Sequence, residues 1–410
     1  MSTAIKARWA RRFVAVGIVW FVAWQLATVA GSGRRVGVAL GLYGFVFHVV
    51  FGKGYTLLPS YFDRTLAFPR APAVHLPLAA LGTACLALGA ASSGSIDLGL
   101  DPLSTAMGET LTGIGASLWL AGCLVFVGTI GWTIRDNLSG RETGTGDANA
   151  DRRWVDRYAN AFVPVVALYV LAGATIPVLE WLELTQSLVA GGPPVTHLLA
   201  AGGAALLIFA VGFRLLPRFL AVSPRTWLVA LVLPVGALGP ALLAGDFLGD
   251  SLFLVGAVLE ATALVGFALA YVDMFSRSDR RRVGFYAVTL GVLSGAGVAL
   301  LGLSFATDWF GIPGNPFDAH YRLALAGLLG LTVVGVTYQF YPPAVASSSL
   351  VDDRTASLSI ALLAGGLLVE VGGLLRSASV VERGGRVVVL AGSIVYAFVV
   401  FSVFLERRGK

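Results

Sequence analysis

The residues able to do chemistry are few and far apart. Four histidines (His48, His75, His197 and His320), two cysteines (Cys85 and Cys123) and two carboxylates inside apolar runs (Glu260 and Glu370) make up most of the inventory. A neutral imidazole nitrogen can ligate copper, zinc or haem iron, so the histidines come first. His197 opens an apolar stretch and precedes Pro217 by 20 positions; His320 opens another and precedes Pro342 by 22. A weaker version of the layout runs through Lys53 and Tyr55 to Pro59-Ser60-Tyr61-Phe62-Asp63-Arg64. One helix type in three copies, each pair over a hundred residues apart, predicts a triplicated unit. His197 and His320 then hold matching positions. They are expected within reach of one cofactor, as ligands of a metal or a haem.

The other candidates have blander readings beside the functional ones. His48 lies mid-run among Phe45, Phe47, Phe51 and Tyr55. From the residues alone it reads as a polar pin between helices. His75 follows Pro69 and Pro72 and reads as interfacial. Glu260 and Glu370 sit deep in apolar runs, where an ionised carboxylate is costly, so each is protonated or paired. They could line a proton or solute path, or hydrogen-bond neighbouring helices. Lys53 and Arg214 lie within two turns of their prolines and are expected to snorkel to the surface. Cys85 and Cys123 fall inside apolar runs without a CxxC pattern and read as small buried residues.

Composition states what must position these groups. The 410 residues are 57% hydrophobic and only 13% charged, with a mean hydropathy of +0.81. That excludes a soluble globule with a polar skin and predicts an all-α, polytopic membrane bundle. Twelve spans are expected, near 12–31, 36–60, 75–94, 111–134, 159–181, 194–217, 226–245, 251–275, 283–306, 320–345, 357–376 and 387–405. The first run lacks a convincing cleavage site and reads as a retained helix. All but six of the 29 Lys and Arg fall on the side of the N-terminus, the exceptions being Arg34, Arg35, Arg322, Arg376, Arg383 and Arg386. The basic excess therefore reads as membrane orientation, with both termini cytoplasmic in a cell membrane, rather than nucleic-acid binding. The high Arg-to-Lys ratio suggests a prokaryotic source. Polar punctuation at Arg135–Arg157 and Arg277–Arg282 divides the chain into three groups of four helices, near 1–135, 158–277 and 283–407. Segment 136–157, rich in Gly, Asp, Asn and Thr, reads as a flexible cytoplasmic linker.

This plan resembles subunit I of haem–copper oxidases and nitric oxide reductases, and the NnrS-like membrane proteins. Pro59-Ser60-Tyr61-Phe62-Asp63-Arg64 is similar to the motif ending the second helix in NnrS-like chains. His320-Tyr321, followed by Gly335, Phe340 and Pro342, is similar to the tenth helix of oxidases. His197 stands where the resemblance implies a copper ligand, and His320 where it implies a low-spin haem ligand. An oxidase of this kind needs six histidines, and this chain has four. The tenth helix begins Asp318-Ala319-His320 instead of His-x-His, and the seventh, from Thr226 to Gly245, has no histidine pair. The second helix has no histidine near Ala39; His48 lies about nine residues deeper, roughly 13 Å along a helix.

The resemblance implies a ligand-depleted member that reduces neither oxygen nor nitric oxide and binds one b-type haem or none. His320 would be the axial ligand, with His48 or His197 second. Tyr321, Trp309, Ala324 and Gly327 would border the plane, and Arg322 would meet a propionate near the surface. Partners beyond the lipid bilayer would be membrane or electron-transfer subunits. Two other classes compete: a small-solute or ion carrier using Glu260, Glu370 and His48, and a non-catalytic membrane scaffold.

Overall fold

A computed structural model describes residues 3–92, 105–184, 192–307, 311–346, 348 and 350–406, and every regular element among them is helical. Twelve helices are long and apolar enough to cross a membrane. They are α1 (Ala7–Val29), α2 (Arg34–Tyr61), α3 (Ala71–Ser92), α4 (Thr105–Ile134), α5 (Asp147–Trp181), α6 (Pro193–Leu220), α7 (Thr226–Gly245), α8 (Ser251–Arg277), α9 (Val283–Thr307), α10 (Pro316–Val345), α11 (Asp353–Leu375) and α12 (Ser379–Glu406). Windows of sustained hydropathy force this outcome, because a helix satisfies its own backbone polar groups where water is absent. The protein is a multi-pass membrane bundle.

Helices α2, α6 and α10 form the inner layer. About four-fifths of their apolar windows is buried, 78%, 78% and 83%, against 28–56% for the other nine. Each carries a π-helical stretch in its first half: Ala39–Val46, Leu198–Ala205 and Leu323–Leu331. Glycines there admit neighbours onto the backbone. A Cβ on Gly41 would lie 2.9 Å from the Trp24 ring, and one on Gly202 would lie 2.4 Å from Tyr169. Local π geometry of this kind often accompanies functional positions.

The third and fourth helices of each group make the most extensive contacts in the molecule. Glycine pairs bring them together: a Cβ on Gly115 would meet the Gly82 carbonyl at 2.9 Å, one on Gly256 the Gly239 carbonyl at 3.1 Å, and one on Gly385 the Gly366 carbonyl at 2.7 Å. Lipid supplies no hydrophobic drive between helices, so such close backbone approach is how they pack.

Segment 136–157, expected to be flexible, is fastened to the bundle. Asn137 Nδ2 donates to the Phe62 carbonyl at 3.1 Å and to the Glu142 carbonyl at 2.8 Å. Thr145 donates to Asp156, and Arg152 Nη1 donates to the Pro217 carbonyl at 3.3 Å. Arg64 Nε pairs with Asp136 at 3.0 Å and Arg64 Nη1 with Glu142 at 2.6 Å. These bonds raise the Arg64 guanidinium above its ordinary range and hold the Asp136 carboxyl below its usual 3.8, the Arg64 hydrogen bond being the main cause. Composition alone cannot reveal such anchors, since their partners lie on other helices.

Candidate functional site

The sequence-matched histidines do meet. The His197 and His320 rings have centroids 6.3 Å apart and planes 25° from parallel. Proline starts both helices: Gly192, at φ +83°, turns the chain into Pro193-Pro194 ahead of α6, and Asn315-Pro316 opens α10. Asn315 caps α10 by accepting from the Asp318 amide at 3.2 Å, and Arg34 holds Asp318 at 2.6 Å. The ends of α2 and α10 are thereby tied.

Second partners orient the rings. His197 Nδ1 lies 2.8 Å from the Pro193 carbonyl, so it donates its proton there and leaves Nε2 with a free lone pair. His320 Nδ1 is buried with no partner, while Val298 supplies a backbone hydrogen-bond partner to the ring. Phe247 stands 5.2 Å from His197, and Phe305 stands 5.5 Å from His320. Two imidazoles thus stand side by side, bordered by aromatic rings. Among the described residues no group of three or more His, Cys, Asp and Glu gathers as a larger metal site.

The π segments of α6 and α10 that follow the two histidines are in contact, and a Cβ on Gly302 would stand 3.5 Å from the His320 ring. The residues expected to border a haem plane diverge. Tyr321 turns to α1, accepting a hydrogen bond from Trp24 Nε1 at 2.9 Å. Gly327 faces Ser294 and Leu367. Trp309 lies outside the described residues.

Arg322 was expected near the surface beside a propionate and is instead only 2% exposed. It donates to Glu370 at 2.8 Å and to Gln25 at 2.9 Å, with its guanidinium 4.9 Å from the Trp24 ring. Arg386 holds the other Glu370 oxygen at 3.3 Å. Glu370 is therefore paired, and pairing offsets the cost of burying it. Glu260 is buried elsewhere, pressed on Gly239 of α7, with Oε2 unpartnered.

The remaining histidines form a third environment. His48 is buried, but its bond is within its own helix, Nδ1 lying 3.1 Å from the Tyr43 carbonyl, so it does not pin one helix to another. His75 is fully buried rather than interfacial, with Nδ1 3.0 Å from the Tyr55 hydroxyl and Phe13, Phe51 and Phe126 around it. The flanking Pro69 and Pro72 suggested an interface, but α2 and α4 extend past His75 and cover it. Cys123 is buried as expected and Cys85 is half-buried.

At the other ends of α2, α6 and α10 the cations do not snorkel. Arg214 is buried, donating from Nη1 to the Tyr61 carbonyl at 2.9 Å and to Asn160, and from Nη2 to Thr143 at 3.0 Å. Its Nε lies 3.5 Å from Asp156, which Arg218 also grips at 2.6 Å. Lys53 Nζ sits 3.6 Å from the Phe340 ring centroid and donates to the Tyr341 hydroxyl at 3.0 Å. Sequence reasoning missed Asp156 by assigning it to a linker. The signal was present in Asp156/Asn160 and Arg214/Arg218, two pairs at the i,i+4 spacing that shares a helix face.

No protein-family model matches the chain, and no curated protein matches it in sequence. Among solved structures, a haem–copper terminal oxidase dimer determined by cryo-EM aligns over 100% of this chain and 84% of its own. The identity is 13% and the TM-score 0.45, too distant to carry an argument.

Proposed function

We propose that this chain is a ligand-depleted membrane protein of the oxidase subunit I and NnrS-like type, which holds one copper ion between His197 and His320 and no haem. The carrying observation is the 6.3 Å separation of two imidazole rings that each keep a nitrogen free. Each ring would hold the ion through one nitrogen. Two nitrogen donors bordered by aromatic rings suit monovalent copper better than cations that demand oxygen ligands or four donors. When bound, the ion supplies a soft Lewis-acidic, redox-active centre. The chain's own residues supply the ligand tautomer through the Pro193 carbonyl and border the pair with Phe247 and Phe305.

Neither oxygen nor nitric oxide reduction belongs to this reading, because two histidines replace the six that such a centre needs. Membrane or electron-transfer subunits belong to it as partners. The carrier reading loses support: Glu370 is neutralised by arginines, Glu260 lies between α7 and α8, and His48 bonds its own helix, so the three define no common path.

The test is copper(I) competition against a chromogenic chelator with the purified full chain. One ion per chain is expected, with affinity falling by at least about 100-fold in His197→Ala and in His320→Ala, while His75→Ala binds as the parent. Equal binding in all four proteins would remove the site. Added haem should give no bound Soret band; a band lost in His320→Ala would restore the haem assignment.

A further inference from the structure

The seam between the first and second groups of helices contains a groove that the histidine site does not use. Helices α4 and α5 contact each other less extensively than α3 and α4 do. Between them lies an apolar cavity of about 160 Å³. Gly131, Ile134 and Leu138 line it from the α4 side, Pro164 and Leu168 from α5, and Phe51 forms part of its floor. Its size is comparable with apolar cavities that exclude water and accept hydrocarbon. It is open at its wall: a Cβ on Gly131 would meet nothing within 4 Å, and Leu168 is 67% exposed.

One end of this groove is polar in a particular way. Arg135 follows Gly131 by four residues, and its guanidinium lies 4.7 Å from the ring of Trp132, which is itself exposed. Across the seam, Arg157 lies in the helical stretch Arg153–Asn160, which a two-residue turn separates from the stretch that begins at Val163 and carries Pro164. Arg157 is exposed and makes no ion pair among the described residues. Trp154 stacks on Tyr158 at 5.1 Å beside it. Aromatics and arginines near helix ends are characteristic of a membrane–water interface. An apolar slot with arginines following its lining residues on α4 and preceding them on α5 is complementary to a molecule with an anionic head and a hydrocarbon tail.

We propose that the α4–α5 seam binds one anionic phospholipid, an acyl chain lying in the groove past Gly131 and Leu168 and the headgroup phosphate meeting Arg135 and Arg157. Guanidinium groups bind phosphate oxygens through charge-assisted hydrogen bonds, which explains a preference for anionic over zwitterionic lipid. The seam is also where 136–157 crosses between groups, so the lipid would complete packing that protein side chains leave open.

The full chain in mild detergent, equilibrated with equal phosphatidylglycerol and phosphatidylcholine, tests this by native mass spectrometry. Retention of phosphatidylglycerol should exceed that of phosphatidylcholine by about tenfold, and the double variant Arg135→Gln/Arg157→Gln should bring the ratio near one. Gly131→Trp fills the groove and should cut retention of both lipids several-fold with circular dichroism unchanged. Leu168→Trp makes the same test from the facing helix if Gly131→Trp does not fold. Inorganic phosphate should not displace the lipid. Equal retention of the two lipids by the parent, undiminished retention in the filled variant, or displacement by phosphate would each overturn the proposal.

Discussion

Helix α6 carries His197 at one end and Arg214 at the other, and its surroundings treat them in opposite ways. Around Arg214 the acceptors converge: a main-chain carbonyl from α2, Asn160 and Asp156 from α5, and Thr143 from the crossing segment. Around His197 one nitrogen is held by a carbonyl, and the ring lies 6.3 Å from that of a second histidine whose Nδ1 is unpartnered. A buried charge held by several partners is a fastening, because losing its counter-ion strands a charge. A polar pair left short of partners calls for another explanation, and the proposed ion supplies one. The same contrast separates Glu370, gripped by two arginines, from Glu260 with its free oxygen.

The largest expected effect is all-or-none and concerns which compartment each end faces. Reporter fusions at Gly146, near the Arg214 end, and at Gly192, near the His197 end, should report opposite sides, with Gly146 cytoplasmic. The same side for both would break the comparison at its root.

Next in size is stability. Arg214→Met leaves Asp156 buried with only Arg218 as its cation and should destabilise the protein by about 3 kcal/mol in detergent unfolding. His197→Ala, which loses one hydrogen bond to the Pro193 carbonyl, should cost about 1 kcal/mol or less. Equal losses would mean that the histidine end is as structural as the arginine end.

The smallest effect is at the exposed margin of the arginine end. Asp136 has a folded pKa below its ordinary 3.8 because Arg64 donates to it. A depressed folded pKa adds stability that is present above the unfolded value and lost as pH falls through the folded one. Melting curves of the parent and Asp136→Asn should therefore differ near neutral pH and converge only below about pH 4. Convergence already at neutral pH would show that the Arg64 contact does not help to hold the segment.

Twelve helices, their near-boundaries and the equivalence of α2, α6 and α10 were legible in the chain, because hydropathy is summed along consecutive residues and a span needs no distant partner. Even the meeting of His197 with His320 could be read from matching offsets to Pro217 and Pro342. Burial of His75, the inward turn of Arg322 and the fastening of 136–157 could not. Each depends on which side chain of another helix stands opposite: Tyr55 for His75, Glu370 for Arg322, Phe62 and Arg214 for the segment. Hydropathy therefore determined that these residues lie in or beside a membrane bundle. Helix rotation and packing alone decided which charges are paired and which nitrogens stay free, since those properties belong to contacts between segments far apart in sequence.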